Sequence, residues 1–488
     1  MISRPPVWLV CATLLLALPL RAEEQNAWPV SVRQVRPDGT LESGEYLGPL
    51  FFEKNAPGAS GRLEGFRPFY LAATAGETEN RTLLYPLFTW AREPGYRSFS
   101  FFQLINRRAT TDGTQSAGRG FDVWPFYFSR ETGDEATTYH ALFPLAGTIK
   151  ERFGKDRLTW YAFPLYFHTD KAGMQITSAP WPFIRVINGA GHHGFEFWPL
   201  FGSREHPGDY RKQFLLWPLF YREATNLSDP EPTVRTGALP FYTRETGPGS
   251  ISETYAWPFF GYTHRTAPDH YDETRYLWPL LVRGHGDQRQ VNRWAPLYTH
   301  SIVKGYDKTW VLWPVFRHST WQEDGVAQEN NQVLFFLYWS LTQRSLANPA
   351  AAPAHKTHLW PLFSSWDNGA GRRQVQVLSP LEVFFPHNDT IRQLYTPLFA
   401  LYRYDQRGAT ESRHSVLWGA ITYRRTADGK EFHLGPLFSV QTGAETRRIA
   451  LGNGVLGWQR RPGEPRSRFF LFDFAAKPAI KAGEAPPP

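Results

Sequence analysis

Few residues in this chain have the types and spacing that chemistry requires. His192 and His193 stand together in the glycine-rich stretch Gly189 to Gly194, and paired imidazoles can bind a metal ion. Neighbours in sequence rarely ligate one ion together, and no cysteine or carboxylate cluster accompanies them. His355 and His358 lie three apart beside an Ala/Pro linker and share that weakness. Asp269, His270, Asp272 and Glu273 form a small acidic group. A calcium loop would need more oxygen ligands at set spacing and a turn glycine. Glycosidase carboxylates need not be close in sequence, and nothing here selects a pair. The chain has no Gly-x-Ser-x-Gly elbow, no phosphate loop and no His-Glu-x-x-His. No catalytic, cofactor-binding or metal-ligating residue is nominated. The expectation is a protein that is not an enzyme and carries no cofactor.

A different set of residues is regular. Trp28, Trp124, Trp181, Trp198, Trp217, Trp257, Trp278, Trp313 and Trp360 each stand directly before a proline. Aromatic rows can stack on sugars or bases, or sit at a membrane interface. Their place inside the most apolar phrase of each repeat makes core packing the expected role. The phrase is an aromatic, Pro, Leu or Phe, and another aromatic. It recurs from Pro49 to Pro436, mostly at intervals of about 17 to 22 residues, the self-similarity of a repeat architecture.

The elements that carry this phrase read as strands. A proline in the middle of each apolar run disfavours helix, and the enrichment in Trp, Tyr, Phe, Val and Thr favours strand. Tyr255 to Phe260 and Tyr276 to Val282 are two successive copies, separated by turn chemistry at Pro268 and Asp269. Each period is read as one strand of about ten residues and one turn. The proline then falls at the strand centre, where it would bend or bulge the strand, and both faces of that centre are apolar. The predicted fold is all-β: a long antiparallel up-and-down meander of about 20–24 repeated strands, closed into a barrel or wound into a shell. No Trp-Asp repeat, leucine-rich consensus or Gly-Gly-x-Gly-x-Asp series is present.

Composition sets the address. Arg4, the apolar stretch Val7 to Leu20 and the small residue Ala22 read as a signal peptide over residues 1–22. Residues 23–474 read as a single β-repeat domain, and 475–488 as a disordered Pro-rich tail. The one cysteine, Cys11, lies inside the signal, so no disulfide is expected in the rest. The formal charge is +8; removing residues 1–22 takes away Arg4 and Arg21 and no acid, leaving +6. Basic residues are mixed with acids, as in Arg204-Glu205 and Arg244-Glu245, rather than clustered in a nucleic-acid stripe.

The functional expectation is an exported cell-envelope β-repeat protein. Its leading form is an outer-membrane β-barrel with a pore, transport or scaffold role. The alternative is a soluble periplasmic or secreted protein binding a glycan, lipid or protein, with no nucleic-acid partner in either case. Three features oppose the barrel: mid-strand prolines would leave carbonyls unpaired in lipid, a lumen-facing row should be polar, and the loops do not alternate cleanly between short and long.

Overall fold

In the computed structural model the described residues are 23–473, apart from 37–39, 57–60, 112–117, 387, 445, 461–462 and 464. The signal peptide and the Pro-rich tail expected from the sequence lie outside them. The fold is all-β and antiparallel, with strands following one another in chain order. The strand number differs from the expected 20–24: the described residues form 45 strands, most of five or six residues.

The doubling has one cause. The proline phrase is a turn, not a strand centre. Strand Ser250–Tyr255 runs into Ala256-Trp257-Pro258-Phe259, and strand Phe260–Arg265 leaves it. The Phe259 N–H donates to the Ala256 carbonyl at 3.0 Å, closing a four-residue turn with a cis Trp257–Pro258 bond, the type VI arrangement. Leu277 to Leu280 repeats it at 2.8 Å around Pro279. Each apparent ten-residue strand is therefore two short strands and the hairpin between them. Proline has no N–H and would cost a ladder bond at a strand centre; in the turn it removes a donor that the ladder does not use.

The opposite strand ends carry glycine turns. Lys304-Gly305 and Asp324-Gly325 have φ of +48°, +78° and +50°, +75°, the paired left-handed geometry of two-residue hairpin loops. Within each unit these two kinds of turn mostly alternate, so an antiparallel meander puts its proline turns on one edge and its glycine turns on the other.

The chain divides into two compact units, residues 77–369 and residues 1–76 with 370–488. Each is described by itself.

In the 77–369 unit the strands have two unlike faces. One face carries small and paired polar residues. Thr254 lies beside Gly261, Thr263 beside Glu273, and Gly284 beside Val291. Charges alternate along it: Glu196 lies between Arg185 and Arg204, and Asp122 between Arg108 and Arg152. A local apolar cluster of Phe128, Tyr139, Ala141, Ile149 and Trp160 interrupts this pattern. The expectation that both faces are apolar fails because the apolar residues behind it belong largely to the turns. Close packing explains the glycines. A Cβ on Gly261 would fall 2.2 Å from the Glu253 carbonyl oxygen. Gly261→Val is expected to destabilise by about 1–3 kcal/mol, read as a lower thermal midpoint.

In the other unit, strands between Glu23 and Ala75 and strands between Arg372 and Leu471 meet across a polar layer. Helix Asp389–Leu394, capped by the Asn388 side chain on the Ile391 N–H, contributes to it. Lys54 Nζ donates to Gln393 Oε1 at 2.8 Å, and Arg67 Nε to the Gln393 carbonyl at 2.8 Å. Arg67 also lies 3.9 Å over the Phe52 ring.

Candidate functional surface

The proline-turn edge of the 77–369 unit carries a run of exposed apolar residues. The pair of residues flanking each turn is apolar: Tyr255 opposite Phe260, Tyr276 opposite Leu281, Leu215 opposite Phe220. All lie on the face opposite the small-residue face, because strand side chains alternate. The turn residues extend the same surface. Trp124, Trp257 and Trp313 are 51%, 47% and 56% exposed, and Leu145, Leu165, Phe241 and Leu297 more so. Apart from the half-buried Trp360, which packs on Phe336, the tryptophans before proline in this unit thus form an exposed edge rather than a core. Their expected role in core packing is corrected: a turn at the end of a hairpin has no layer above it. Scattered exposed apolar residues are ordinary, but a continuous row of them marks an interaction surface.

Many backbone N–H groups of this edge bond sideways to the neighbouring turn. The Trp278 N–H donates to the Phe259 carbonyl of the preceding proline turn at 2.8 Å. The Ala256 N–H donates to Phe241 at 2.7 Å, Leu239 to Leu219 at 2.7 Å, and Trp198 to Phe183 at 2.7 Å. Turn is thus bonded to turn, and the sheet ladder continues through the loops. Irregular backbone usually relies on water; here lateral bonds take over part of that role, while the Trp257 and Leu277 N–H groups make none of them. Each group paired in this way lowers the cost of approaching an apolar medium.

The residues singled out as potential ligands do not converge. His192 Nδ1 lies 3.0 Å from the Tyr210 hydroxyl, and its ring stacks on His206 at 4.3 Å; His193 is exposed on a strand beside Glu205. Burial and the neighbouring His206 push His192 below its ordinary pKa. His355 and His358 occupy opposite faces of strand Ala354–Leu359. His355 contacts the Thr342 hydroxyl at 3.2 Å. His358 is buried, which lowers its pKa to about 4 with help from Lys356.

The acidic group is likewise divided. Asp272 is bonded to His264 and, at 3.1 Å, to His270. Glu273 lies on the other face beside Tyr271 and Arg289. Asp269 contributes only its carbonyl, to Arg265. Among the described residues no group of three or more potential ligands has metal-binding geometry.

Sequence reasoning missed a buried ion pair in the unit that holds the chain's first strand. Arg413 Nε donates to Glu24 Oε2 at 2.8 Å, and neither side chain is more than one-fifth exposed. Burial alone would raise the Glu24 carboxyl, but the Arg413 guanidinium, with His433 and Thr422, holds it at about 2. Asn26 Nδ2 donates to the Gly419 carbonyl at 2.7 Å beside them. The pair spans 389 residues, so no local pattern announces it.

No protein-family model matches this sequence, and no curated protein matches it significantly. No helix among the described residues is long and apolar enough to cross a membrane, which leaves membrane contact by strands and turns open.

Proposed function

We propose that this is an exported cell-envelope protein, without enzymatic activity, that is held at the outer membrane by its proline-turn edge and acts there as a scaffold. The observation that carries the reading is the edge itself: an exposed aromatic row whose backbone groups bond from turn to turn. Tryptophan and tyrosine are favoured where an apolar medium meets water, because one ring serves both. The signal-like N-terminus supplies the export step of the reading.

A second reading is a pore, favoured by the charge-alternating small-residue face, which has the polarity a channel lining needs. Strand length favours the scaffold. A spanning strand needs about 9–11 residues, and an outward apolar band of about 25 Å. Here the strands mostly have five or six residues, although Trp90, Phe121, Phe195 and Tyr262 carry the outward apolar surface one position beyond the flanking pair.

The test is flotation of the purified protein with phosphatidylethanolamine–phosphatidylglycerol vesicles on a density gradient. Co-flotation is the expected outcome. Protein left at the bottom of the gradient would overturn the membrane reading and favour a soluble binder.

A further inference from the structure

The edge has a depth-graded chemistry on its outward face. Moving away from the proline turn, the first outward position is apolar, as at Phe220, Tyr276 and Leu281. The next outward position lies two residues further along each strand. Among the described residues of the 77–369 unit, its arginines are Arg81, Arg107, Arg222, Arg244 and Arg283, and its single carboxylate is Glu253. Two residues beyond that the charges are mixed, with Glu79, Glu205 and Asp272 in the same tier as Arg92, Arg97 and Arg211.

Arg107, Arg222 and Arg283 are exposed and make no ion pair or hydrogen bond among the described residues. Arg244 is 3.4 Å from Glu253, and Arg81 bonds Glu79. With a strand rise of about 3.3 Å per residue, two residues and half a turn put the arginine tier roughly 10 Å from the turn tips. An interfacial element buries about 5–10 Å into the headgroup and acyl boundary. The arginines therefore stand where phosphates lie when the aromatic row is immersed. Within the arginine tier five guanidinium groups stand against one carboxylate, a balance that favours an anionic surface. Guanidinium is also the cation best shaped for phosphate oxygens.

We infer that the proline-turn edge inserts into one leaflet of an anionic bilayer, with Arg107, Arg222 and Arg283 engaging lipid phosphates. This rests on the membrane reading above and adds the lipid class and the depth. The occupant is a lipid headgroup layer. Free phosphate would find single arginines, on strands Ile105–Thr110, Phe220–Thr225 and Leu281–Gly286, too far apart in strand order to share one ion.

The experiment compares vesicles of phosphatidylcholine alone with vesicles holding 30% phosphatidylglycerol, using the full protein, its Arg107→Gln/Arg222→Gln/Arg283→Gln variant and the matching triple Lys variant. Each basic group near an anionic surface is worth about fivefold in binding at low salt. The Gln variant should bind the anionic vesicles about 100-fold less tightly with an unchanged melting curve. The Lys variant should recover most of that loss, and 0.5 M salt should abolish the difference. Vesicles loaded with a fluorescent dye should not leak.

Equal binding of all three proteins to neutral and anionic vesicles would overturn the phosphate assignment and leave the membrane reading standing. Dye release would overturn insertion into one leaflet. Failure to bind either vesicle would overturn the membrane reading itself.

Discussion

Alanine at Trp217, Trp257 and Trp278 together is expected to leave the melting curve nearly unchanged while cutting vesicle binding by at least a hundredfold. The three indoles stand on successive or near-successive proline turns and are 41–49% exposed. Immersing the exposed half of an indole removes roughly 100 Å² of apolar surface from water, about 1–2 kcal/mol per residue after ordering costs. Three such losses amount to about 3–6 kcal/mol of binding. If these side chains were core, as their place in the sequence suggests, each alanine would instead cost about 3–5 kcal/mol of folding stability. Trp160 supplies the internal contrast, being 2% exposed in the Phe128–Ile149 cluster. Trp160→Ala should lower the melting midpoint strongly without a direct effect on vesicle binding. A triple variant that melts much earlier, and retains membrane binding while folded, would defeat the exposed-edge reading.

The same tryptophans show what a sequence can and cannot disclose. The interval between Pro258 and Pro279 is visible in the letters, and it was enough to give an all-β antiparallel meander. The six-residue run Tyr255 to Phe260 looks like a strand centre because its residues are strand formers. In the fold its end residues pair across a hairpin, and its middle four make the turn. Donor accounting at proline points to that solution, yet composition alone gives no reason to prefer a turn built of aromatics.

Halving the strand also changes the face assignment. Glu253 and Thr263 lie inside strands Ser250–Tyr255 and Phe260–Arg265, so face polarity could not be judged correctly from the apolar phrase. The arginine tier becomes visible only once Arg222 and Arg283 are known to share a height above their turns. Glu24 and Arg413 are further removed still: both are ordinary charged residues until the first and last segments of one unit meet.

That meeting carries the second large effect. Glu24→Ala and Arg413→Ala are each expected to destabilise the protein by about 3–5 kcal/mol, because each leaves a buried charge without its counter-ion. The joint replacement Glu24→Leu/Arg413→Met should be less damaging than either single change, since it removes both desolvation costs. The pH dependence has a fixed sign. The Glu24 carboxyl titrates at about 2 in the folded protein, against an ordinary 4.5. The folded state therefore binds fewer protons than the unfolded chain between those values, and the pair's contribution is complete above about 4.5 and is lost as pH falls towards 2. The difference corresponds to about 3 kcal/mol. Glu24→Gln should accordingly be less stable than the wild type at pH 7, and the gap should narrow steadily below pH 4.5. Denaturant melts at a series of pH values measure this directly. A gap that stays constant from pH 7 to pH 2.5 would mean that the ion pair does not hold the first strand in place.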